Sequence, residues 1–251
     1  MLLVEWNLHK MTNNVLVEKY VIDCLKRVEA DIICLVEYLT DSGIEEAFRE
    51  DYFLAESNSC SGNKVFIAIK KSISSDEIRI IKRDGVIDCY SFLHIDFSLS
   101  NGEIFSVIGI RMLSPIDAPK QTPSLYKYLK RIENTFICVG DYNIKDYRME
   151  HWFPTISIET IEKDNKPLGD TSIIYVDKKT KEIVGYGAVD HALHSKDIEI
   201  KTKYDWDFLS KCMVYPSIEK IKPGEIWDIP AAYPDHAMMI SIVEITKNDK
   251  E

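Results

Sequence analysis

The chain has 251 residues, 45% hydrophobic and 29% charged, with a formal net charge of −10. That length allows one large globular domain or two small ones, able to bury most of the apolar surface, and the balance excludes a disordered chain. With no repeat or Pro/Gly/Ser linker to divide it, residues 1–251 are expected to form a single domain. A pI of about 5.2 opposes non-specific clamping of long duplex nucleic acid, because Lys and Arg contacts to phosphate supply most of that affinity. A local basic rim or bound divalent cations can still reverse the field inside one cleft.

No apolar run reaches membrane-spanning length, and MLLVEWNLHK lacks the basic start and cleavage site of a secretory leader. The expected location is cytoplasmic, with no membrane partner. The six cysteines, at 24, 34, 60, 89, 138 and 212, show no C-x-x-C spacing. They read as reduced thiols, not as zinc ligands or a disulfide frame.

The first strand, LLVEW, begins almost at Met1. Leu16, Tyr20, Cys24, Leu25 and Val28 then share one helical face. This helix leads through Glu29-Ala30-Asp31 into the apolar run IICLV, which ends at Glu37. Strand–helix–strand order predicts a sheet covered by helices. Further strands are predicted at KVFIAI (64–69), CYSFLHIDF (89–97) and EIFSVIGIRM (103–112). A helix is predicted over 124–132, and TFICVGDYN (135–143) follows as strand and turn. Residues 145–170 carry no pattern that resolves them. TSIIYVDKKTKEIVGYG reads as a hairpin turning at Asp177-Lys178-Lys179, and VDHALHS and HAMMISIVEI as the last strands. Many strands with few helices predict an α/β fold, a four-layered sandwich of two mixed sheets packed face to face with helices outside.

Several apolar runs are bounded by residues suited to metal or acid–base chemistry. Asn7 follows LLVEW, Glu37 follows IICLV, and Asp141 and Asn143 follow FICVG, all at C-terminal strand ends. Asp190 opens DHAL, and Asp235-His236 open AMMISI, at N-terminal ends. Where strands run in both directions, these groups meet along one edge. Hard oxygen donors from Glu37 and Asp141, with the Asn7 and Asn143 amides, suit Mg²⁺ or Mn²⁺. An imidazole partnered by a carboxylate suits proton transfer to or from water attacking phosphorus, and Asp190 is the candidate partner of His236. Each residue alone has a plain structural explanation: a turn for Gly-Asp-x-Asn, a cap for Asn7, a surface site for Glu37. Their order and context carry the argument.

These residues resemble the endonuclease/exonuclease/phosphatase superfamily in order, from Trp6 to His236. The WN of VEWNLH resembles the family's first-strand asparagine motif, ADIICLVE its A-D-I-x-x-L-Q-E motif and VGDYN its G-D-F-N motif. AVDHAL is similar to R-I-D-Y-I-L, and YPDHAMM to S-D-H-x-P. The resemblance implies that Glu37 is a metal ligand and that Asn7 orients metal or phosphate. It implies that Asp141 and Asn143 contact the attacking water, metal or phosphate, that Asp190 is the histidine's partner, and that Asp235 lies on the metal side. His236 is implied as base or transition-state donor. The chain departs from the family where relatives carry N-T-H-L or a tyrosine: IGIRML places Arg111 there, either a permanent cation for the substrate phosphate or a solvated arginine at a strand end. His9 stands where abasic-site enzymes tend to have an acid, and Pro234 stands for the usual serine. His191 is read as structural, and His94, His151 and His194 carry no assigned role.

Specificity in such folds comes from loops, here 56–63, 113–124, 145–170 and 225–233, with Tyr142, Trp152 and Trp227 as residues that either stack on bases or pack. The expectation is a metal-dependent phosphodiesterase, foremost a nuclease on DNA, RNA or a small nucleotide. The alternatives are a phosphomonoesterase on a sugar, inositol or nucleotide phosphate, and a non-catalytic binding module. The oligomeric state is not legible.

Overall fold

Strand β1 (Leu2–Asn7) pairs parallel with β2 (Ile32–Tyr38), Leu3 opposite Ile32 and Asn7 opposite Val36. Between them α1 (Lys19–Val28) buries Val21, Cys24 and Leu25 at i, i+3, i+4 spacing. It ends on Lys26 and Arg27, which suit the negative end of the helix dipole, and the left-handed Glu29 breaks it. β2 is buried at every position, as a central strand covered on both faces must be. The computed structural model describes residues 1–9, 19–40, 43–58, 63–84, 91–113, 118–145, 148–162, 168–177, 179–180, 182–210 and 234–246.

The chain continues through α2 (Ile44–Phe48), β3 (Tyr52–Glu56), β4 (Lys64–Lys70), β5 (Arg79–Lys82), β6 (Ser91–Ser98), β7 (Ile104–Arg111) and α3 (Ala118–Leu129). It then forms β8 (Thr135–Asp141), α4 (Met149–Trp152), β9 (Ser157–Ile158), β10 (Thr160–Ile161), β11 (Ile173–Val176) and β12 (Ile183–Gly187). The last strands are β13 (Asp190–His194), β14 (Ile198–Asp205) and β15 (Met238–Ile245). Among the described residues one sheet has the order β10-β14-β15-β1-β2-β4-β3 and the other β5-β6-β7-β8-β13-β9. Both mix parallel and antiparallel pairs: β1–β2 and β7–β8 are parallel, β1–β15 and β8–β13 antiparallel. The sheets face one another through Leu3, Cys34, Val65, Ile67, Leu93, Ile95, Val107, Ile137 and Val139, all in one core. A second core under α3 and α4 covers the outer face of the six-stranded sheet with Leu125, Leu129, Met149 and Phe153. This is the expected four-layered α/β sandwich.

Several elements differ from expectation. The helix expected over 124–132 begins at Ala118 and ends at Leu129, with Pro123 inside it. Strands β3, β5, β9, β10 and β14 carried no expectation. β14 alternates buried Ile198, Ile200, Thr202 and Tyr204 with solvent-facing Glu199, Lys201 and Lys203, the pattern of a strand with one wet face. Hairpin β11–β12 stands outside both sheets. Its Asx turn has Asp177 Oδ1 accepting from the backbone of Lys179 and Thr180, at 2.8 Å each.

Candidate active site

Each polar residue expected at a strand end lies there, and the sheet registers decide which ones are neighbours. In the six-stranded sheet Arg111 pairs with Asp141, and Asp141 with Asp190, so the three sit side by side across β7, β8 and β13. In the seven-stranded sheet Asn7 ends β1, Glu37 lies next to last in β2, and His236 precedes β15. Three hydrogen-bonded pairs join these two rows across the sandwich. Asn7 Nδ2 donates to Asp141 Oδ2 at 3.1 Å. Arg111 donates to Glu37 Oε1 from Nε at 3.0 Å and from Nη2 at 2.7 Å. His236 Nδ1 donates to Asp190 Oδ2 at 2.7 Å.

The backbone at these ends is specialised. His9, Glu37 and Asn143, three of the five described non-glycine residues with positive φ, lie at these strand ends, where such strain persists only if the surroundings enforce it. Gly140 has φ +142°, and a Cβ there would lie 1.8 Å from the Ile110 carbonyl oxygen, so the G of VGDYN is a steric requirement. Asp141 Oδ1 accepts from Asn143 N at 2.9 Å, and Oδ2 accepts from the Asn143 amide at 3.1 Å.

A second ring of bonds holds the histidine. Trp6 Nε1 donates to the His236 carbonyl at 3.0 Å. Ala237 N donates to the Ser172 carbonyl at 2.8 Å, and Ser172 Oγ accepts from Val189 N and Asp190 N. Tyr204 Oη donates to the Asp190 carbonyl at 2.7 Å. Asp235 lies 3.1 Å from His9 Nδ1 and 3.8 Å from His236 Nε2.

Burial in this low-dielectric seam shifts the titrating groups. Burial, then the neighbouring Asp190 charge, pushes the Asp141 carboxyl up to about 7, although His236, Arg111 and the Asn143 backbone pull the other way. Burial alone disfavours the His236 imidazolium, but the charge and hydrogen bond of Asp190 outweigh it. His236 is therefore held well above the ordinary imidazole value.

Glu5 was missed by sequence reading. It lies on the same face of β1 as Asn7, wholly buried, and neither carboxylate oxygen has a hydrogen-bond partner among the described residues. Burial first, then Asp190 and Asp141, holds it well above the ordinary glutamate range. A single acid in an otherwise apolar strand was the available signal.

The structure separates the remaining candidates. His191 Nδ1 donates to Glu159 Oε1 at 2.9 Å and its Nε2 lies 3.1 Å from the Ile144 carbonyl, so its two ring nitrogens are occupied away from the cluster. Tyr142 is fully buried and donates to the Cys138 carbonyl, so it packs; it does not stack on a ligand. Trp152 is half-buried beside His151 on α4. Residues 225–233, including Trp227, and parts of the other three loops lie outside the described residues.

The donor chemistry fits a hard divalent cation. Both Arg111 contacts fall on Glu37 Oε1, and Oε2 makes no hydrogen bond to a described residue. Among the described residues no three His, Cys, Asp or Glu side chains converge into a cage. Mg²⁺ is commonly bound through one or two carboxylates, retained waters and substrate phosphate. Glu37 with the Asn7 and Asp141 side chains supplies a set of that kind.

No family model matches the sequence, and no characterised protein matches it by sequence. Solved structures do match. TDP2 from D. rerio, complexed with single strand DNA product, is 14% identical over 97% of this chain and 98% of that one, with a TM-score of 0.66. An endonuclease/exonuclease/phosphatase family protein from Leptotrichia buccalis is 14% identical over 98% and 100%, TM-score 0.65. A mannosyl-6-phosphatase from Bacteroides thetaiotaomicron is 10% identical over 98% and 100%, TM-score 0.63. These likenesses show that the chain has the endonuclease/exonuclease/phosphatase fold.

Proposed function

We propose that this protein is a divalent-metal-dependent phosphodiesterase acting on nucleic acid or a nucleotide. The observation that carries the reading is the set of three cross-sheet pairs, Asn7–Asp141, Arg111–Glu37 and His236–Asp190. No packing requirement places three carboxylates, an imidazole and a guanidinium at one seam, and each is costly to bury. The similarity to a TDP2 complexed with single strand DNA product supports nucleic acid as substrate.

Glu37 and Asn7, with Asp141 beside them, would hold Mg²⁺ or Mn²⁺, which when bound polarises the phosphoryl oxygen and neutralises developing charge. Asp141, with a pKa near neutrality, takes the proton of the attacking water. Asn143 and Asn7 fix that carboxylate through both its oxygens. His236, kept cationic by Asp190, donates from Nε2 to a non-bridging phosphoryl oxygen as charge builds there. Asp235 lies at the metal side of His236, between it and His9. Arg111 orients Glu37 and adds a fixed positive charge behind the phosphate. One water is consumed: its oxygen becomes a phosphate oxygen, one proton goes to Asp141, and the released alcohol takes one from solvent.

A second reading, a phosphomonoesterase, draws on the mannosyl-6-phosphatase neighbour. In both readings residues 1–251 act as one domain, and the buried free thiols of Cys24, Cys34 and Cys138 support a reducing, cytoplasmic location. A panel of bis(p-nitrophenyl) phosphate, p-nitrophenyl phosphate, single-stranded DNA, RNA, plasmid and cyclic dinucleotides, with and without Mg²⁺ or Mn²⁺, tests the proposal. Turnover of diesters that stops with EDTA and returns with metal is expected. Monoester turnover alone would favour the second reading, and turnover indifferent to EDTA would overturn the metal-dependent mechanism.

A further inference from the structure

Hairpin β11–β12 belongs to neither sheet, yet it is fastened to the site. Ile173 forms a bridge with His236, Ser172 N donates to the Gly187 carbonyl at 2.9 Å, and Ala237 N donates to the Ser172 carbonyl at 2.8 Å. Tyr175 is paired with Gly185 across the hairpin, while Gly187 is paired with Ile173. The Tyr175 ring does not stand over its own partner. A Cβ on Gly187 would lie 3.0 Å from the Tyr175 hydroxyl and 3.1 Å from Cε2, whereas one on Gly185 would come no closer than 3.8 Å. The ring therefore leans along the hairpin toward the row of Ile173 and Gly187. Gly187 is what leaves room for it.

From the other side, Lys145, two residues beyond Asn143, places Nζ 5.9 Å from the Tyr175 ring centroid, within cation–π range. The ring thus bridges the hairpin and the turn that carries Asp141 and Asn143. The phenol is half-buried, and burial with the nearby Asp141 and Asp190 charges keeps it protonated above the ordinary tyrosine range, so it is a donor at any physiological pH. Its hydroxyl makes no hydrogen bond to a described residue. The cation expected to hold the phosphate, Arg111, is meanwhile engaged by Glu37.

We propose that Tyr175 is a further catalytic residue of this site, its hydroxyl donating to a non-bridging oxygen of the substrate phosphate, with Lys145 holding the ring in place and adding positive charge at that side of the cleft. The inference rests on the phosphoesterase reading above. It makes the hairpin part of the binding wall and gives Gly187 a purpose, which is to leave room for the ring.

Two measurements on the full chain test it. Tyr175→Phe removes the hydroxyl and keeps the ring. With Mg²⁺ present it should lower kcat/KM for bis(p-nitrophenyl) phosphate by about 10- to 100-fold, the usual loss for one donor to a charged acceptor. Lys145→Gln should lower it less, and thermal midpoints should not move for either variant. Independently of turnover, inorganic phosphate titrated calorimetrically into the Mg²⁺-loaded protein should bind Tyr175→Phe about tenfold more weakly, with Mn²⁺ affinity unchanged. Wild-type kcat/KM and phosphate affinity in Tyr175→Phe would overturn the assignment. A wild-type protein that hydrolyses nothing, but loses phosphate affinity on Tyr175→Phe, would overturn the phosphoesterase reading and leave the phosphate-binding role standing.

Discussion

Two buried histidine–carboxylate pairs lie close together on β13 and its neighbours, and they are built differently. His191 gives Nδ1 to Glu159, sets Nε2 against the Ile144 carbonyl, and faces a carboxylate whose second oxygen already accepts from Ala192 N at 2.9 Å. His236 gives Nδ1 to Asp190, but among the described residues its Nε2 has no polar partner nearer than Asp235 at 3.8 Å, and Asp190 Oδ1 is buried without a hydrogen-bond partner. Native proteins satisfy nearly all buried polar atoms, so an unfilled valence needs a reason. The saturated pair is a strut. In the proposed reading, the unsaturated pair is completed by atoms of the substrate.

Removing the two rings should break that contrast most sharply. His236→Ala should lower turnover roughly a hundred- to ten-thousand-fold, the range for a lost general acid or base, while circular dichroism and thermal midpoint stay near wild type. Wild-type turnover in that variant would mean that the open valence of His236 is not used. Asp190→Asn, which cannot support the imidazolium, should approach the same loss.

A smaller effect follows from pH. With Asp141 as proton acceptor near 7, only its ionised form works, so kcat/KM should fall about tenfold for each unit below that value. Saturating Mg²⁺ should move this acid limb downward, because a nearby cation favours the carboxylate. An acid limb absent at subsaturating Mg²⁺, and unmoved as Mg²⁺ is raised, would remove Asp141 from the role. At the alkaline end, His236 loses its proton only well above the ordinary imidazole range, so activity should not fall off where a free imidazole would titrate.

The strut should behave in the opposite way. His191→Leu strands the Glu159 carboxylate in the core and should destabilise by about 3 kcal/mol, as broken buried pairs do, with specific activity of the folded protein close to wild type. A turnover loss matching that of His236→Ala would erase the distinction between the two pairs.

Much of this division is legible in the sequence. IICLV, FICVG and AMMISI are continuous apolar runs because both sheet faces are covered, so Glu37, Asp141 and His236 stand out at their ends. Residues that meet only across the sandwich were not legible. That Arg111 sits on Glu37 depends on the packing of β7 against β2, which no spacing in the chain encodes. Tyr175 was hidden because its hairpin lies in neither sheet, and the room for its ring depends on Gly187, twelve positions away. β14 was readable from its alternation alone, whereas its place beside β15 follows from the closed order of the sheet. Glu5 was hidden by apolar neighbours that made its strand look purely structural.

Glu5 is the hardest test of the comparison, since it also has unfilled valences but lies below the seam, on the core side of Asn7. If it is neutral, its cost is mainly to stability. A carboxyl whose folded-state pKa is raised contributes stability below the unfolded value of about 4.5 and loses it as pH rises from there toward the folded value. Glu5→Met keeps the volume and removes both orphaned oxygens. The variant should gain on the order of 1–3 kcal/mol at pH 7, with a smaller gain at pH 4, where glutamate is protonated in both states. Urea melts at the two pH values measure the difference, and activity at pH 7 should stay within about threefold of wild type, a change under 1 kcal/mol in barrier. A gain that is the same at both pH values would mean that Glu5 is not held protonated. A loss of turnover comparable with that of His236→Ala would place Glu5 among the working groups and extend the rule of the open valence one layer deeper into the core.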